Sequence, residues 1–384
     1  MDSKMGAGQN QPDYHLKTGF IYGGKSVRIA FVRSSNSRKT ESYRGKRDIA
    51  DYEHCRQSYD QTACPSHETK QHSKPGQREM KQLLAIFLIL ASSQWLAAQD
   101  ADTSPTHANV AYGPHKPNVL DIWIAKGDGP RPLHVYIHGG GWTGGDKLRK
   151  GAQAAWLAKG ISYAAINYRH TPQAPLPAPV HDAARAIQFL RSMASEWNID
   201  KNRICLSGGS AGACTSMWLL CHDDLANPES KDPVLRESTR VSGAAVSGGQ
   251  TSIDPKQIEP WLGPNVLKHR MINMAVGEQT IAGALKNYDK HKPLFLEFSA
   301  YNHVSKDDPP LFMSYGGDMT LPSKNAGHGI HHPVYGVKMK EKADRVGMKC
   351  HLLIGDGTVS KSDTYKNANE FIDAILLGEK VDAK

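Results

Sequence analysis

The sequence predicts an α/β protein with a mainly parallel central sheet and helices on both faces. Three observations carry that prediction. Strand-like apolar runs alternate with helical ones: a helical stretch over 178–197, a buried strand at 204–206, a second helix over 211–222 and a further strand at 241–246. Gly208-Gly209-Ser210-Ala211-Gly212 follows the 204–206 run directly and turns it, through small residues, into the next helix. His138-Gly139-Gly140-Gly141-Trp142 stands at the end of another apolar run, 133–137.

Taken in order, residues 1–79 are polar and poor in periodic apolar segments, with 14 Lys or Arg against 9 Asp or Glu. They read as a disordered basic leader. The leader contributes 14 − 9 = +5 of the chain's net charge of +9. The basic balance is therefore a solvated tail more than a nucleic-acid surface, and no nucleic-acid partner is expected. At Met80 a short charged start is followed by the apolar run 83–91 and by small residues after Trp95, the pattern of a signal peptide over 80–98. The run is shorter than the ~20 residues that span a bilayer, so no stable membrane span is expected. A signal peptide belongs at a chain's beginning, so translation is expected to start at Met80, with a mature N-terminus near Gln99, export from the cell, and 1–79 a gene-model extension.

The remaining domain, 99–384, is long enough for one large core. Residues 118–123 read as an early strand, 166–169 as a strand end, 227–233 as a surface loop, 310–315 and 350–354 as later strands. The stretch 248–302, carrying Trp261, Met271 and Met274, reads as an insertion. Of six cysteines, Cys55 and Cys64 fall in the leader, and Cys205, Cys214, Cys221 and Cys350 are expected to be free and buried. There is no internal repeat, and Gly139-Gly140-Gly141 lacks the lysine and spacing of a phosphate loop.

The chemistry suggested by the two glycine motifs is acyl transfer. A sharp turn between strand and helix leaves room only for hydrogens beside Ser210, which makes it an exposed nucleophile. Acyl transfer also needs N–H donors already aimed at the developing oxyanion, and Gly139, Gly140 and Ala211 are placed to supply them. At these residues the chain resembles the α/β-hydrolase esterases and lipases with an HGGGW oxyanion motif, which include hormone-sensitive-lipase-like and feruloyl-esterase-like enzymes. The likeness covers roughly residues 112–377 and includes Asn118-Val119-Leu120-Asp121-Ile122-Trp123, Ile166-Asn167-Tyr168-Arg169 and His181-Asp182-Ala183-Ala184-Arg185-Ala186.

That resemblance implies the α/β-hydrolase fold and a Ser210 acyl-enzyme, with a small-molecule or carbohydrate-linked ester as substrate, short-chain acyl groups, and neither cofactor nor metal. It also implies that 248–302 caps the acyl pocket and that Trp142 lines the substrate. Asp318, after the strand and Gly316-Gly317, matches the family's acid; a turn or helix-cap aspartate is the plainer alternative.

The sequence departs from the family at the histidine, which the pattern places just after the last strand. There the chain reads Gly355-Asp356-Gly357-Thr358, and no histidine follows His351, which lies at the wrong end of its strand. Histidines gather instead in Ala326-Gly327-His328-Gly329-Ile330-His331-His332-Pro333. Three readings are open: His331 or His332 serves as the base, since a triad is defined by geometry and not chain order; the loop binds a metal; or the histidines only cap the helix that begins near Pro333. A non-catalytic binding protein and a peptidase on the same fold are the alternative functions.

Overall fold

The computed structural model describes residues 104–148, 151–362 and 364–378. The leader, the signal-peptide segment, Cys55 and Cys64 lie outside the described residues. Eight strands form a single sheet in the order β1-β2-β4-β3-β5-β6-β7-β8. β1 (His107–Ala111), β2 (Val119–Trp123) and β4 (Ser162–Ile166) pair antiparallel; β3 (Arg131–Ile137), β4, β5 (Ile199–Gly209), β6 (Gly243–Ser247), β7 (Leu311–Tyr315) and β8 (Cys350–Ile354) run parallel. The expected mainly parallel sheet is present, with an antiparallel hairpin at one edge.

Helices cover both faces. One core layer holds α2 (Ala178–Ser192) and α3 (Ala211–Cys221) against Leu133, Val135, Ile137, Leu206 and Val246. The other holds α1 (Ala154–Leu157) and a C-terminal helix, Ala368–Leu377, against Tyr163, Cys205, Ala245 and Phe312. The alternation of β5 explains the division, since Ile204 and Leu206 face one layer and Cys205 the other. All eleven residues of α3 are buried, as befits a helix that is apolar all round. Cys205, Cys214, Cys221 and Cys350 are free and buried.

The segment 248–302 folds as short helices, α4 (Pro255–Leu262), α5 (Met271–Ala275), α6 (Ile281–Lys286), α7 (Tyr288–Glu297) and α8 (Ala300–His303). After β7 come α9 (Ala326–Ile330) and α10 (Val334–Val346), then β8 and α11 (Ala368–Leu377). Among the described residues, no helix is long and apolar enough to cross a membrane.

Two internal ion pairs tie the strands to the loops above them. Lys147 Nζ reaches Asp121 Oδ2 at 2.7 Å, with both side chains buried. Arg169, just past β4, donates from its backbone N–H, Nε and Nη2 to the Asp182 carboxylate on α2 at 2.6–2.9 Å. Two of the three sequence blocks that accompany the glycine motifs, 166–169 and 181–186, thus meet each other in space.

Candidate active site

Ser210 stands where β5 ends and α3 begins. Its φ of 54° and ψ of −122° lie in a region L-residues seldom occupy, a strain of order 1–3 kcal/mol that the surroundings must hold. They do so by close approach. A Cβ on Gly212 would lie 2.1 Å from the Ile137 carbonyl oxygen, and one on Gly208 would lie 2.6 Å from the Gly212 backbone. The elbow is therefore wedged against the end of β3, and only glycine fits. The Ser210 N–H donates to the Ser247 carbonyl at 3.0 Å, which fixes the turn against β6.

The oxyanion loop sits over this turn. A Cβ on Gly139 would lie 2.7 Å from the Gly209 oxygen and 3.5 Å from Ser210 Cβ, so that backbone passes beside the nucleophile. The Gly139 carbonyl is held by His138 Nδ1 at 2.7 Å. Burial pulls the His138 pKa below its ordinary value, so the ring is neutral and Nδ1–H donates. Because a peptide's C=O and N–H point opposite ways, the Gly140 N–H is turned away from His138. Gly140, at φ 105°, is packed so closely on the Gly144 carbonyl that a Cβ would lie 2.1 Å from it.

Trp142 does not line the site. It is fully buried, has φ 57°, and donates from Nε1 to Thr215 Oγ1 on α3 at 2.9 Å. It clamps the oxyanion loop to the elbow helix, and the expected substrate contact is replaced by a structural one. The cavity of about 520 Å³ at the nucleophile is lined by Tyr136, Gly139, Ser210, Ser247, Ser314 and His331, among others. Ser247 ends β6 and Ser314 is the penultimate residue of β7, in strands whose sequences carry no signal of a site.

Of the clustered histidines, His331 faces the serine, with Nε2 2.9 Å from Ser210 Oγ. Its Nδ1 lies 3.1 Å from the Gly327 carbonyl. A carbonyl only accepts, so Nδ1 carries the proton and Nε2 is left to accept from the serine. His332, fully buried, turns the other way: Nε2 donates to the Thr320 carbonyl at 3.1 Å and Nδ1 accepts the Val334 N–H at 3.2 Å. His332 thus caps α10. His351 packs edge-on against Tyr365, in the layer of the C-terminal helix α11.

Asp318 is not brought to His331. Its Oδ2 is 2.5 Å from Lys324 Nζ, and its nearest imidazole is His328, with Nε2 3.7 Å from Oδ1. The lysine, with the Thr320 hydroxyl and N–H, holds the Asp318 carboxyl far below the usual carboxylate range. The physical reason for its displacement lies in the turn after β8: Gly355 packs on Gly317, beside Asp318, but the turn offers glycine and Asp356 where the family pattern has a histidine. Among the described residues, no carboxylate lies within ion-pair distance of His331, and no group of three or more His, Cys, Asp or Glu side chains is arranged to hold a metal.

The segment 248–302 explains how His331 is held. Ser323 donates its N–H to the Leu262 carbonyl at 2.8 Å, Asn265 Nδ2 donates to the Ser323 carbonyl at 2.7 Å, and a Cβ on Gly329 would lie 2.8 Å from Val266 Cα. Helix α9 is thus seated on the turn Pro264–Lys268. Met271, fully buried, packs beside Gly141 of the oxyanion loop. Trp261 stacks edge-on with Tyr301. None of Trp261, Met271 and Met274 lines the cavity at Ser210.

The BD-FAE family model matches residues 120–326, more than half of the chain. The chain belongs to the BD-FAE family. This α/β-hydrolase esterase family accounts for the resemblance carried by the two glycine motifs, and its match stops five residues before His331. Among curated relatives, Esterase LipQ of Mycobacterium tuberculosis (strain ATCC 25618 / H37Rv) is 26% identical over 274 residues, 67% of this chain and 57% of LipQ. The isoprenylcysteine alpha-carbonyl methylesterase ICME of Arabidopsis thaliana is 33% identical over 150 residues, 36% of this chain and 34% of ICME. The chain spans about half the length of the curated relatives it matches. Among solved structures, a truncated carbohydrate esterase from gut microbiota superposes with a TM-score of 0.53 at 23% identity, covering 66% of this chain and 88% of that one. The likeness to that structure shows the α/β-hydrolase fold.

Proposed function

We propose that the protein hydrolyses carboxylic esters through a Ser210 acyl-enzyme with His331 as general base. The observation that carries this reading is the 2.9 Å contact between Ser210 Oγ and His331 Nε2, with the proton on Nδ1 fixed by Gly327. His331 takes the serine proton as Oγ attacks the ester carbonyl, then returns it to the leaving alkoxide; water repeats the sequence in deacylation. Gly139, Gly140 and Ala211 N–H groups meet the oxyanion, each worth about 100- to 1000-fold in turnover. The Gly327 carbonyl orients the base where a carboxylate would ordinarily do so. Asp318 acts at one remove, folding the segment that carries His331 through Lys324 and His328.

The esterase names among the relatives support ester over peptide substrates. The small residues lining the cavity suit a short acyl group, on an alcohol that the family resemblance makes carbohydrate-linked, and the 80–98 segment suits export. The Ser210–His331 contact favours catalysis over the non-catalytic reading. The test is hydrolysis of p-nitrophenyl acetate by the protein beside Ser210→Ala, His331→Gln and His332→Gln. Ser210→Ala and His331→Gln are each expected to lose at least about 100-fold in kcat/KM, and His332→Gln to retain the activity if it folds. Wild-type turnover no faster than Ser210→Ala would refute the proposal.

A further inference from the structure

The loop that leaves β6 carries a buried amide to the back of His331. After Gly243–Ser247 the chain reads Gly248-Gly249-Gln250-Thr251, and this loop has little freedom. The Gly248 N–H donates to the Ser314 carbonyl at 2.8 Å, and Tyr315 donates its hydroxyl to the Gly249 carbonyl at 2.7 Å. A Cβ on Gly249 would lie 2.7 Å from Ala213 Cβ and 2.8 Å from Met217 Cε. The loop is thus pinned to β7 and to α3, the helix that begins at Ser210. Gln250, fully buried, reaches from it to the end of α9. Its Nε2 donates to the Ile330 carbonyl at 2.6 Å and to the Gly248 carbonyl at 3.2 Å. Beside it, Thr251 Oγ1 donates to the Tyr335 carbonyl of α10 at 3.0 Å.

We infer that Gln250 is a positioning residue for His331, given the reading of His331 as general base: its amide fixes where the imidazole stands relative to Ser210. The Ile330 carbonyl belongs to the peptide plane that ends in the His331 nitrogen. Holding that carbonyl fixes the plane, and with it the direction in which the His331 side chain leaves the backbone. Gly248, the second acceptor, is the wall against the ring, since a Cβ there would lie 3.5 Å from His331 Cδ2. One NH2 group, with two protons for two carbonyls, therefore ties ring and wall to the strand end beside the serine. The Gly327 carbonyl sets the tautomer; Gln250 sets the placement.

Both neighbours of the amide nitrogen are carbonyls and only accept, so the nitrogen and not the oxygen must face them. Oε1 meets no donor among the described residues. A methionine at this position therefore withdraws the two N–H bonds and no other side-chain bond.

The test removes those donors at nearly constant volume. Gln250→Met is compared with wild type on p-nitrophenyl acetate, with thermal melts to establish folding. Helix α9 keeps its separate seat on Pro264–Lys268, so the variant is expected to fold. Its kcat is expected to fall about tenfold or more with KM within about twofold of wild type, because only the geometry of the base changes. A folded Gln250→Met with kcat within about twofold of wild type, or with its loss confined to KM, would overturn the inference. Gln250→Glu gives a readout that packing alone does not move. Ionised, its carboxylate repels both carbonyls; protonated, it returns one donor. The ratio of its kcat to the wild-type kcat is expected to rise from pH 8.5 to pH 6, and a constant ratio overturns the inference even where Gln250→Met does not fold. Wild-type turnover no faster than Ser210→Ala is a separate failure, which removes the serine-esterase reading and with it the role given to Gln250.

Discussion

A histidine that orients on a backbone carbonyl behaves differently from one that leans on a carboxylate. Gly327 contributes a fixed dipole to His331 and no charge, so in the proposed acylation the imidazolium would be stabilised less, while the tautomer is still set. Removing a carboxylate that orients a catalytic histidine typically costs about 10⁴-fold in kcat. Here Asp318→Asn is expected to cost less than about tenfold, because the side chain touches Lys324 and not the base; steady-state kinetics on p-nitrophenyl acetate decides it, and a loss near 10⁴ would place Asp318 against His331 in the working enzyme. The elbow at Ser210 was legible in the sequence because its glycines answer a local steric demand. The partner of His331 was not, because a main-chain carbonyl has no residue type by which a sequence could announce it. Trp142 was misread for a related reason: an aromatic beside an oxyanion motif suggests a substrate wall, but only the packed structure shows its Nε1 committed to Thr215.

Among the elements, α9 matters out of proportion to its five residues. It starts with Asn325, whose side chain accepts the His328 N–H at 2.9 Å, and ends at His331. Its own last-turn carbonyl, that of Gly327, is the group that orients His331. Loss of the cap in Asn325→Ala is expected to cost about 1 kcal/mol of local stability, and to lower kcat with KM nearly unchanged, measured by initial rates. An unaltered kcat would show that the helix is held by the Pro264–Lys268 turn alone. The strand order was not legible, whereas strands and the helices between them were readable from periodicity, and the mainly parallel sheet follows from their alternation. The short helices of 248–302 were not, because none is long enough to show a period, and their role as a seat for α9 depends on contacts some sixty residues apart, such as Ser323 with Leu262.

Among the described residues, five histidines, His138, His170, His181, His269 and His332, have pKa values drawn below the ordinary 6.5, chiefly by burial. In the unfolded chain each regains its ordinary value. Below about pH 6.5 the unfolded state therefore binds more protons than the folded one, and stability rises with pH through that window. Acidification from pH 7.5 to 5.5 is expected to lower the melting temperature, followed by circular dichroism; a flat profile would mean that these rings charge without penalty. Most of this was invisible in the sequence, since burial, and not residue identity, sets the direction. The position of the base has a consequence for how such enzymes are found. Ser210 and His331, the proposed nucleophile and base, both precede residue 334, so under that reading the edge strand and terminal helix carry no chemical duty. If His331 is the base, a search that demands a histidine near the end of the chain would discard this protein as inert, and one that also looks between the seventh strand and α10 would keep it.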